Sequence, residues 1–188
     1  MNPSQNPSAL RSKKTIINTL LQLMTQYPYK EITVKHILLE STISRKTFYR
    51  NFTSKDDVLD SYLESILNNY TGTLKKQSSY SFLQTLNIIF LFCEKNKDFL
   101  FILRDNKLLY LLLLKLNQFI PSEHKKISAN ASTNSESFTE YIIFFNIGGI
   151  WNIISRWVEN NMSDSTKDIT NLIIHYLSNI KNIDLTTI

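Results

Sequence analysis

Residues that turn or interrupt a chain are scarce in this sequence, which holds only 3 Gly and 4 Pro among 188 residues. A sheet protein of this length needs many turn residues, and no stretch alternates apolar and polar residues for long enough to form a strand. The long apolar segments repeat with a helical period instead. The sequence therefore predicts an all-α protein, with enough residues for one large domain or two small ones that share a core.

Cysteine and long hydrophobic runs are scarce as well. Cys93 is the only cysteine, so the chain can form no intrachain disulfide, which fits a reducing compartment. The longest apolar run, residues 108–114, is far shorter than the ~20 residues that a membrane span needs. Residues 1–9 are polar and show no signal peptide. We therefore expect a cytoplasmic protein without a membrane segment.

Catalytic constellations are missing from the sequence. The three histidines are scattered, and none lies at metal-ligand spacing from a cysteine or a carboxylate. The three glycines are too dispersed for a phosphate-binding loop. No serine or cysteine stands in a nucleophile motif. We therefore expect no enzyme, no metal site and no cofactor.

Positive charge is concentrated at one end of the chain. The protein has a net charge of +5, but residues 1–55 hold nine Lys and Arg against two Glu, whereas residues 56–188 hold 12 Lys and Arg against 14 Asp and Glu. A basic N-terminal part on a slightly acidic remainder predicts a nucleic-acid-binding protein. The alternative is a solvated basic face without a partner.

Residues 33–58 predict two short helices joined by a tight turn. Thr33 and Ser44 are the expected N-caps, because their hydroxyls can accept a free backbone N–H. The second helix, residues 45–51, turns Phe48 inward. Its outward side chains are three cations, a hydroxyl and a phenol, without a carboxylate: Arg45, Lys46, Thr47, Tyr49 and Arg50. Such groups bind phosphates and base edges, so the pattern predicts a helix-turn-helix whose second helix enters the major groove.

The same stretch resembles the TetR family of one-component transcriptional regulators. The resemblance rests on Ile43-Ser44, on Thr47-Phe48-Tyr49 followed by Phe52, and on Ser54-Lys55-Asp56-Asp57-Val58. Further along, Gly148-Gly149-Ile150 and Arg156-Trp157-Val158-Glu159-Asn160 are similar to the C-terminal region of a subgroup related to dihydroxyacetone-kinase regulators.

The resemblance implies a domain organisation. A three-helix helix-turn-helix head would span residues 10–56, behind a disordered tail at 1–9. A helical effector-binding and dimerisation body would span residues 57–188.

The resemblance also implies roles for the basic residues. Arg45, Lys46 and Thr47 fall where bases are read, and Tyr49 and Lys55 fall where phosphates are contacted. Together with the neighbouring polar residues, the predicted DNA-binding set is Thr33, Lys35, Ser44, Arg45, Lys46, Thr47, Tyr49, Arg50 and Lys55. The partner would be a pseudo-palindromic operator in double-stranded DNA.

Two residues depart from the family pattern. Thr42 stands where the family usually has a glycine in a left-handed conformation, and a β-branched residue is strained at positive φ. Leu38 stands where a small residue usually lets the two helices approach closely.

Helix ends follow from caps and prolines. A first helix is predicted over residues 10–27, ended by Pro28. A long helix begins after the capping box Ser54-Lys55-Asp56-Asp57 and runs to about residue 75. A leucine-rich helix over 106–119 is predicted to end at Pro121, followed by a mobile polar loop over 121–136.

The last two long helices are apolar and predict a homodimer built through a four-helix bundle. The alternative is that both apolar stripes are buried inside one subunit. Adjacent glycines destabilise a helix by roughly 1 kcal/mol each, which close approach of another helix, or a kink over a pocket, would explain. The predicted interface comprises Gly148, Gly149, Ile154, Trp157, Ile169, Ile173, Tyr176 and Ile180.

A small-molecule effector is implied by the resemblance, and sparse buried charge in the body favours an apolar or aromatic one. The candidate pocket residues, each of which has plain core packing as its alternative, are Tyr62, Ile66, Tyr70, Phe90, Phe99, Phe145 and Trp151. The sequence thus predicts a TetR-type repressor released by an effector. The alternative is a protein-partnered transcriptional co-regulator with the same fold.

Overall fold

The predicted all-α architecture is confirmed over the part of the chain that the structure describes. This structure, a computed structural model, describes residues 7–74, 82–128 and 136–180, and all regular elements within these ranges are helical. None of the helices in these ranges is both long and apolar enough to cross a membrane.

The described helices follow one another with short connections. A 3₁₀ turn at Tyr29–Glu31 lies between the first two. The helices are α1 (Pro7–Met24), α2 (Val34–Ser41), α3 (Arg45–Asn51), α4 (Lys55–Leu74), α5 (Phe82–Lys95), α6 (Lys97–Asp105), α7 (Tyr110–Ser128), α8 (Glu136–Glu159) and α9 (Thr166–Ile180). The head contains α1–α3, and the body contains α4–α9.

Both ends of α1 differ from the prediction. The helix begins at Pro7, so residues 7–9 are helical rather than part of a tail. Proline is compatible with a first helical position because its missing N–H would have no intrahelical partner there. The helix ends at Met24 rather than at residue 27; Pro28 disfavours helical backbone only at Tyr27, the residue before it. Residues 1–6 of the predicted tail lie outside the described ranges.

The predicted end of the leucine-rich helix was wrong. α7 continues through Pro121 to Ser128, so the first half of the expected loop is helical. An interior proline removes one backbone hydrogen bond and destabilises a helix by ~3 kcal/mol. The packing of α7 on α8 supplies stabilisation that offsets this local penalty. Residues 129–135 of the predicted loop lie outside the described ranges.

One apolar core runs through head and body. Ile16 and Leu20 of α1, Ile37 of α2 and Phe48 of α3 are buried in the same cluster as Leu103 of α6. α1 contacts α2, α3, α4 and α6, so it lies at the centre of the head and touches the body directly. In the body, α5 packs on α9, and α8 packs on α6 and α7. The head is therefore held to the body by shared packing.

The turn between α2 and α3 has the predicted strain. Thr42 ends α2 with φ 55° and ψ 19°, in the left-handed region, which destabilises a residue with a Cβ by ~1–2 kcal/mol. The Ser41 hydroxyl accepts the Ile43 N–H at 3.3 Å and supports the turn. Leu38, the second departure from the family pattern, is half-buried against the core. The motif therefore forms without the glycine.

Candidate nucleic-acid interface

The two helices of the motif begin at the predicted caps. The Thr33 hydroxyl accepts the His36 N–H at 3.2 Å, which leaves its own hydrogen for a further acceptor. The Ser44 hydroxyl accepts the Thr47 N–H at 3.2 Å and donates to Thr47 Oγ1 at 3.0 Å. Both hydroxyls fix where a helix starts, and that of Ser44 also fixes the Thr47 side chain.

Aromatic residues anchor α3 to the core. Phe48 is fully buried, and its ring lies 6.2 Å from the ring of Phe52, which follows the helix. Because α3 is only two turns long, burial of Phe48 fixes which side of the helix faces outward. The opposite side carries the predicted reading residues.

The outward face of α3 is basic and accessible. Arg45, Lys46, Tyr49 and Arg50 are exposed, whereas Thr47 is half-buried. Tyr49 is 47% exposed, and its ring lies 5.5 Å from the Arg45 guanidinium carbon, which restricts both side chains. Lys35 is exposed on α2. The outward face of α3 thus carries three cations and two hydroxyl side chains, and α2 adds one exposed cation.

Cations of α1 border the C-terminal end of α3. The Lys13 ammonium lies 5.3 Å from the ring of Phe52, directly after α3. Arg11 and Lys14 are exposed on the same helix. α1 therefore brings a cation close to the residue that follows α3.

Lys55 differs from the other predicted DNA-binding residues. Its ammonium donates to the carbonyl oxygens of Tyr29 at 2.6 Å and Ile32 at 2.7 Å, with that of Lys30 at 3.4 Å. It also lies 4.4 Å from the centroid of the Tyr29 ring. An ammonium group has three hydrogens, and these carbonyls account for them. Lys55 therefore ties the start of α4 to the 3₁₀ turn, a contact that the sequence did not predict.

The acidic residues beside Lys55 also bond within the protein. Asp56 accepts the Tyr29 hydroxyl at 2.6 Å, and burial together with this hydrogen bond raises the pKa of the Tyr29 phenol. Asp57 accepts the Thr53 N–H at 2.7 Å, while the Ser54 hydroxyl accepts the Asp57 N–H at 3.1 Å. The predicted cap at Ser54 is therefore present.

Asn106 joins the head to the body at the end of α6. Its side-chain oxygen accepts the Tyr29 N–H at 2.7 Å, and its nitrogen donates to the carbonyls of Met24 at 3.0 Å and Ile102 at 2.9 Å. One amide thereby links the end of α6, the end of α1 and the 3₁₀ turn. In the sequence, Asn106 is only a polar residue that follows an apolar helix, and this pattern does not predict a contact with any particular element.

A cavity of about 330 Å³ lies in the body. Ile66, Tyr70, Phe99 and Trp151, all predicted as pocket residues, line it. Cys93 lines it too, and burial raises the pKa of its thiol to about 12, which keeps the thiol protonated and unreactive.

Three predicted pocket residues lie elsewhere. The ring of Tyr62 packs edge-on against that of Phe99 with centroids 4.8 Å apart, outside the lining of the cavity. Phe90 is core, fully buried with its ring 5.6 Å from that of Trp157. Phe145 is 76% exposed on α8. Helical spacing could not separate these positions, because α4, α5 and α8 carry apolar residues on more than one side.

Two predicted interface residues are buried inside the subunit. Ile154 and Trp157 are 5% and 4% exposed, and the Trp157 indole donates to the Asp164 carbonyl at 2.9 Å. Ile169 and Ile173 are half-buried against the same core. Ile154 and Trp157 are therefore core residues of the subunit, which corrects the prediction for these two, whereas Tyr176 is exposed. The side chain of Ile180 is not among those described.

Other apolar side chains on the last two helices face outward. Apart from Tyr176, they were not among the predicted interface residues, because an apolar residue at helical spacing is equally consistent with core packing. The exposed large apolar residues of α8 and α9 are Tyr141, Ile142, Phe144, Phe145, Leu172, Tyr176 and Leu177.

The glycine pair has no close neighbour within the described part of the subunit. A Cβ at Gly148 or Gly149 would meet no atom within 4 Å apart from its chain neighbours and the adjacent backbone of its own helix, and α8 continues through both. The expected close approach of another helix is therefore not made by the described residues of the same chain. These residues also contain no group of three His, Cys, Asp or Glu side chains placed to hold a metal ion.

Comparisons with known proteins agree with this arrangement. Residues 16–62 match the family model described as bacterial regulatory proteins, tetR family. A TetR transcriptional regulator from Streptococcus agalactiae 2603V has a similar structure, with a TM-score of 0.61 and 19% identity over 91% of this chain and 94% of that one. No curated protein sequence matches the chain.

Two further solved structures are similar. The dihydroxyacetone kinase operon activator DhaS has a TM-score of 0.57 and 18% identity over 92% of this chain and 98% of its own. The fatty acid degradation regulator FadR from Bacillus halodurans has a TM-score of 0.56 and 16% identity over 90% of this chain and 93% of its own. At these identities the likeness concerns the fold. Residues 16–62 thus match the N-terminal domain of the tetR family of bacterial regulatory proteins, and the chain as a whole has the fold of these solved regulator structures.

Proposed function

We propose that this protein is a transcriptional repressor that binds a pseudo-palindromic operator as a homodimer and is released by a small-molecule effector. The observation that supports DNA binding is the outward face of α3, which presents cations and a phenol without a carboxylate. Phe48 anchors the opposite side of the helix. A short, rigidly held basic helix suits the major groove.

Base reading falls to the first turn of α3. Arg45 can bond the edge of a guanine with two N–H groups, and its position beside the Tyr49 ring limits the directions in which it can point. Lys46 is exposed next to it. Thr47, held by the Ser44 hydroxyl, can present its methyl group to a thymine.

Phosphate contacts surround this helix. Lys35, Tyr49 and Arg50 are exposed donors, and Thr33 keeps a hydroxyl hydrogen for a phosphate oxygen. We assign Lys55 to the joint between α4 and the 3₁₀ turn instead, because its ammonium is already bonded to carbonyl oxygens. Its effect on DNA binding would then come from orienting the head.

Dimerisation rests on the exposed apolar residues of α8 and α9. Large exposed apolar patches usually mark interaction sites. A second copy is the natural occupant, because a palindromic operator needs two heads related by a two-fold axis. The open glycine pair of α8 would permit a helix of the partner to approach closely.

Release would begin in the cavity of the body. Phe99 and Leu100 of α6 line the cavity, and Asn106 at the end of α6 holds the connection between α1 and α2. An effector that binds more tightly when α6 lies in a second position would therefore stabilise that position and shift the head. The loss of DNA affinity can be no larger than the ratio of the effector's affinities for the two positions of α6. One structurally similar protein is described as an activator. Expression of the target gene with and without this protein therefore tests whether it represses or activates.

Selection of binding sites from random duplex DNA with the purified protein tests the proposal. The expected result is a sequence with two inverted half-sites. Arg45→Ala should lose ~1–3 kcal/mol of discrimination at one base pair of each half-site, whereas Lys97→Ala, an exposed cation of α6, should change nothing. Unaltered sequence preference in Arg45→Ala would remove this residue from the reading set. Failure of the purified protein to select any DNA would favour the partner-dependent co-regulator.

A further inference from the structure

The walls of the cavity define the chemistry of its ligand. The cavity lies between α4, α5, α6, α7 and α8, and aliphatic and aromatic side chains such as Ile66, Phe92, Leu112 and Trp151 make up most of its surface. None of the described lining residues is Lys, Arg, His, Asp or Glu. An ion placed there would lose its hydration without gaining a counter-charge.

The polar groups of the wall suit a neutral hydrogen-bonding group. Asn96 lines the cavity, and its amide nitrogen donates to the Phe92 carbonyl at 2.7 Å, so its amide oxygen can still accept a hydrogen bond. Asn146 on α8 and Tyr70 on α4 also line the cavity. A hydroxyl or carbonyl on the ligand could pair with such groups, whereas a charged group would stay unpaired.

The volume limits the size. About 330 Å³ is near the lower end of the ~300–1,000 Å³ found for small-molecule sites. We infer that the effector is an uncharged, mainly hydrocarbon molecule that carries at most a neutral polar group, such as an alcohol with a medium-length alkyl chain. This inference rests on the proposed effector release and names the chemical class that the same cavity accepts.

Three ten-carbon probes that differ only in the head group test the inference: 1-decanol below its solubility limit, and decanoate and decylamine below their micelle-forming concentrations. Binding can be followed by intrinsic fluorescence, because Trp151 lines the cavity and is one of only two tryptophans. Thermal unfolding of the unmodified protein gives a second readout, since a ligand that binds only the folded state raises Tm. Decanol should bind tightest at pH 7.

The charged probes should bind through their neutral forms. A carboxylic acid with a pKa of about 4–5 is ~10²- to 10³-fold less abundant as the neutral acid than as the anion at pH 7, so decanoate should bind weaker by that factor. Its affinity should rise about tenfold for each pH unit of acidification, and that of decylamine should rise similarly with each unit towards alkaline pH. Decanol should bind equally at all these pH values.

Chain length and a filled cavity provide controls. From hexanol to decanol, each added CH₂ should increase affinity about fourfold until the cavity is full. Ile150→Phe, at a lining position, should abolish decanol binding. Ile153→Phe, at a half-buried position on the same helix outside the lining, should not.

Two results would overturn the inference. Decanoate binding as tightly as decanol at pH 8 would mean that a positively charged group pairs with the carboxylate in the cavity. No response of Trp151 fluorescence or Tm to any of the probes would mean that the cavity takes no such ligand. Operator binding measured without probes keeps the outcomes distinct: a protein that binds DNA but ignores decanol keeps the proposed DNA-binding function, and one that binds decanol but no DNA keeps only the ligand class.

Discussion

Head and body differ in the surface and the internal space that they leave outside their buried apolar core. In the head, Ile16, Ile37 and Phe48 are fully buried, and the outward face of α3 is cationic. In the body, a cavity remains among the helices, and aromatic side chains such as Phe145 lie on the surface. The head is thus closely packed around a rigid reading surface, whereas the body retains space and apolar surface for other molecules.

This difference indicates where a change of state can occur. A closely packed region resists continuous deformation, while a region with a cavity can adopt more than one packing. Asn106 and Lys55 connect the two regions through hydrogen bonds to the 3₁₀ turn. We therefore expect the head to move as a unit, in response to repacking of the body.

The largest effect should come from disrupting the exposed apolar surface of α8. Phe145→Glu places a charge in the proposed interface, so the dimer should dissociate and lose the advantage of two linked heads, a factor of roughly 10²–10⁴ in operator affinity. Sedimentation velocity and gel shifts measure both quantities. Leu91→Glu, on an exposed apolar residue of α5, is the matched control. Dissociation by Leu91→Glu but not by Phe145→Glu would place the interface on α5.

The same substitution in the two regions should have opposite effects on stability. Ile37→Phe overfills the head and should lower the free energy of unfolding by ~1–3 kcal/mol. Ile150→Phe fills part of the cavity and should raise it by ~0.5–2 kcal/mol. Urea unfolding gives both values. Equal destabilisation by the two variants would mean that the side chains around the cavity are packed as tightly as those of the head.

Two cations of the head should separate structural from DNA-binding roles. Lys55→Ala removes hydrogen bonds between α4 and the 3₁₀ turn and should lower the free energy of unfolding by ~1–2 kcal/mol. Arg50→Ala, at an exposed position, should leave stability within ~0.5 kcal/mol. Arg50→Ala should also reduce the steepness of the plot of log affinity against log salt concentration by ~2, which corresponds to the loss of about one phosphate contact per head. The reverse pattern would return Lys55 to the phosphate contacts.

The smallest effect concerns the strained turn of the head. Thr42→Gly relieves left-handed strain, partly offset by the greater flexibility of glycine in the unfolded chain, and should raise the free energy of unfolding by ~0.5–1 kcal/mol. Chemical denaturation, analysed with the same m-value for both proteins, measures this difference in the free energy of unfolding. A loss of stability would show that the Thr42 side chain contributes more than its backbone strain removes.

Local features of the motif were predictable from sequence because their physics is local. The caps at Thr33 and Ser44, the left-handed Thr42 and the burial of Phe48 each depend on a few neighbouring residues. The end of α7 was not predictable in this way. The penalty of Pro121 is local, but the packing of α7 on α8 adds stabilisation that the sequence pattern does not contain.

The functional residues likewise divide into those that depend on neighbouring residues and those that depend on contacts between distant parts of the chain. Exposure of Arg45 and Tyr49 followed from the position of Phe48 on a short helix. The bonding of Lys55 did not, because its carbonyl partners lie more than twenty positions earlier in the chain. In the body, periodicity identified apolar faces but could not say which faced the cavity, the core or solvent.

The sequence by itself determined the helical class, the caps and the basic surface of the head, since helix period, capping and charge are properties of neighbouring residues. Only the tertiary structure decided that Lys55 and Asn106 form the joint, that Trp157 is core, and that Phe145 is exposed. Those outcomes depend on which helices meet. Contacts between residues distant in the chain fix them, and a single apolar period cannot encode the choice.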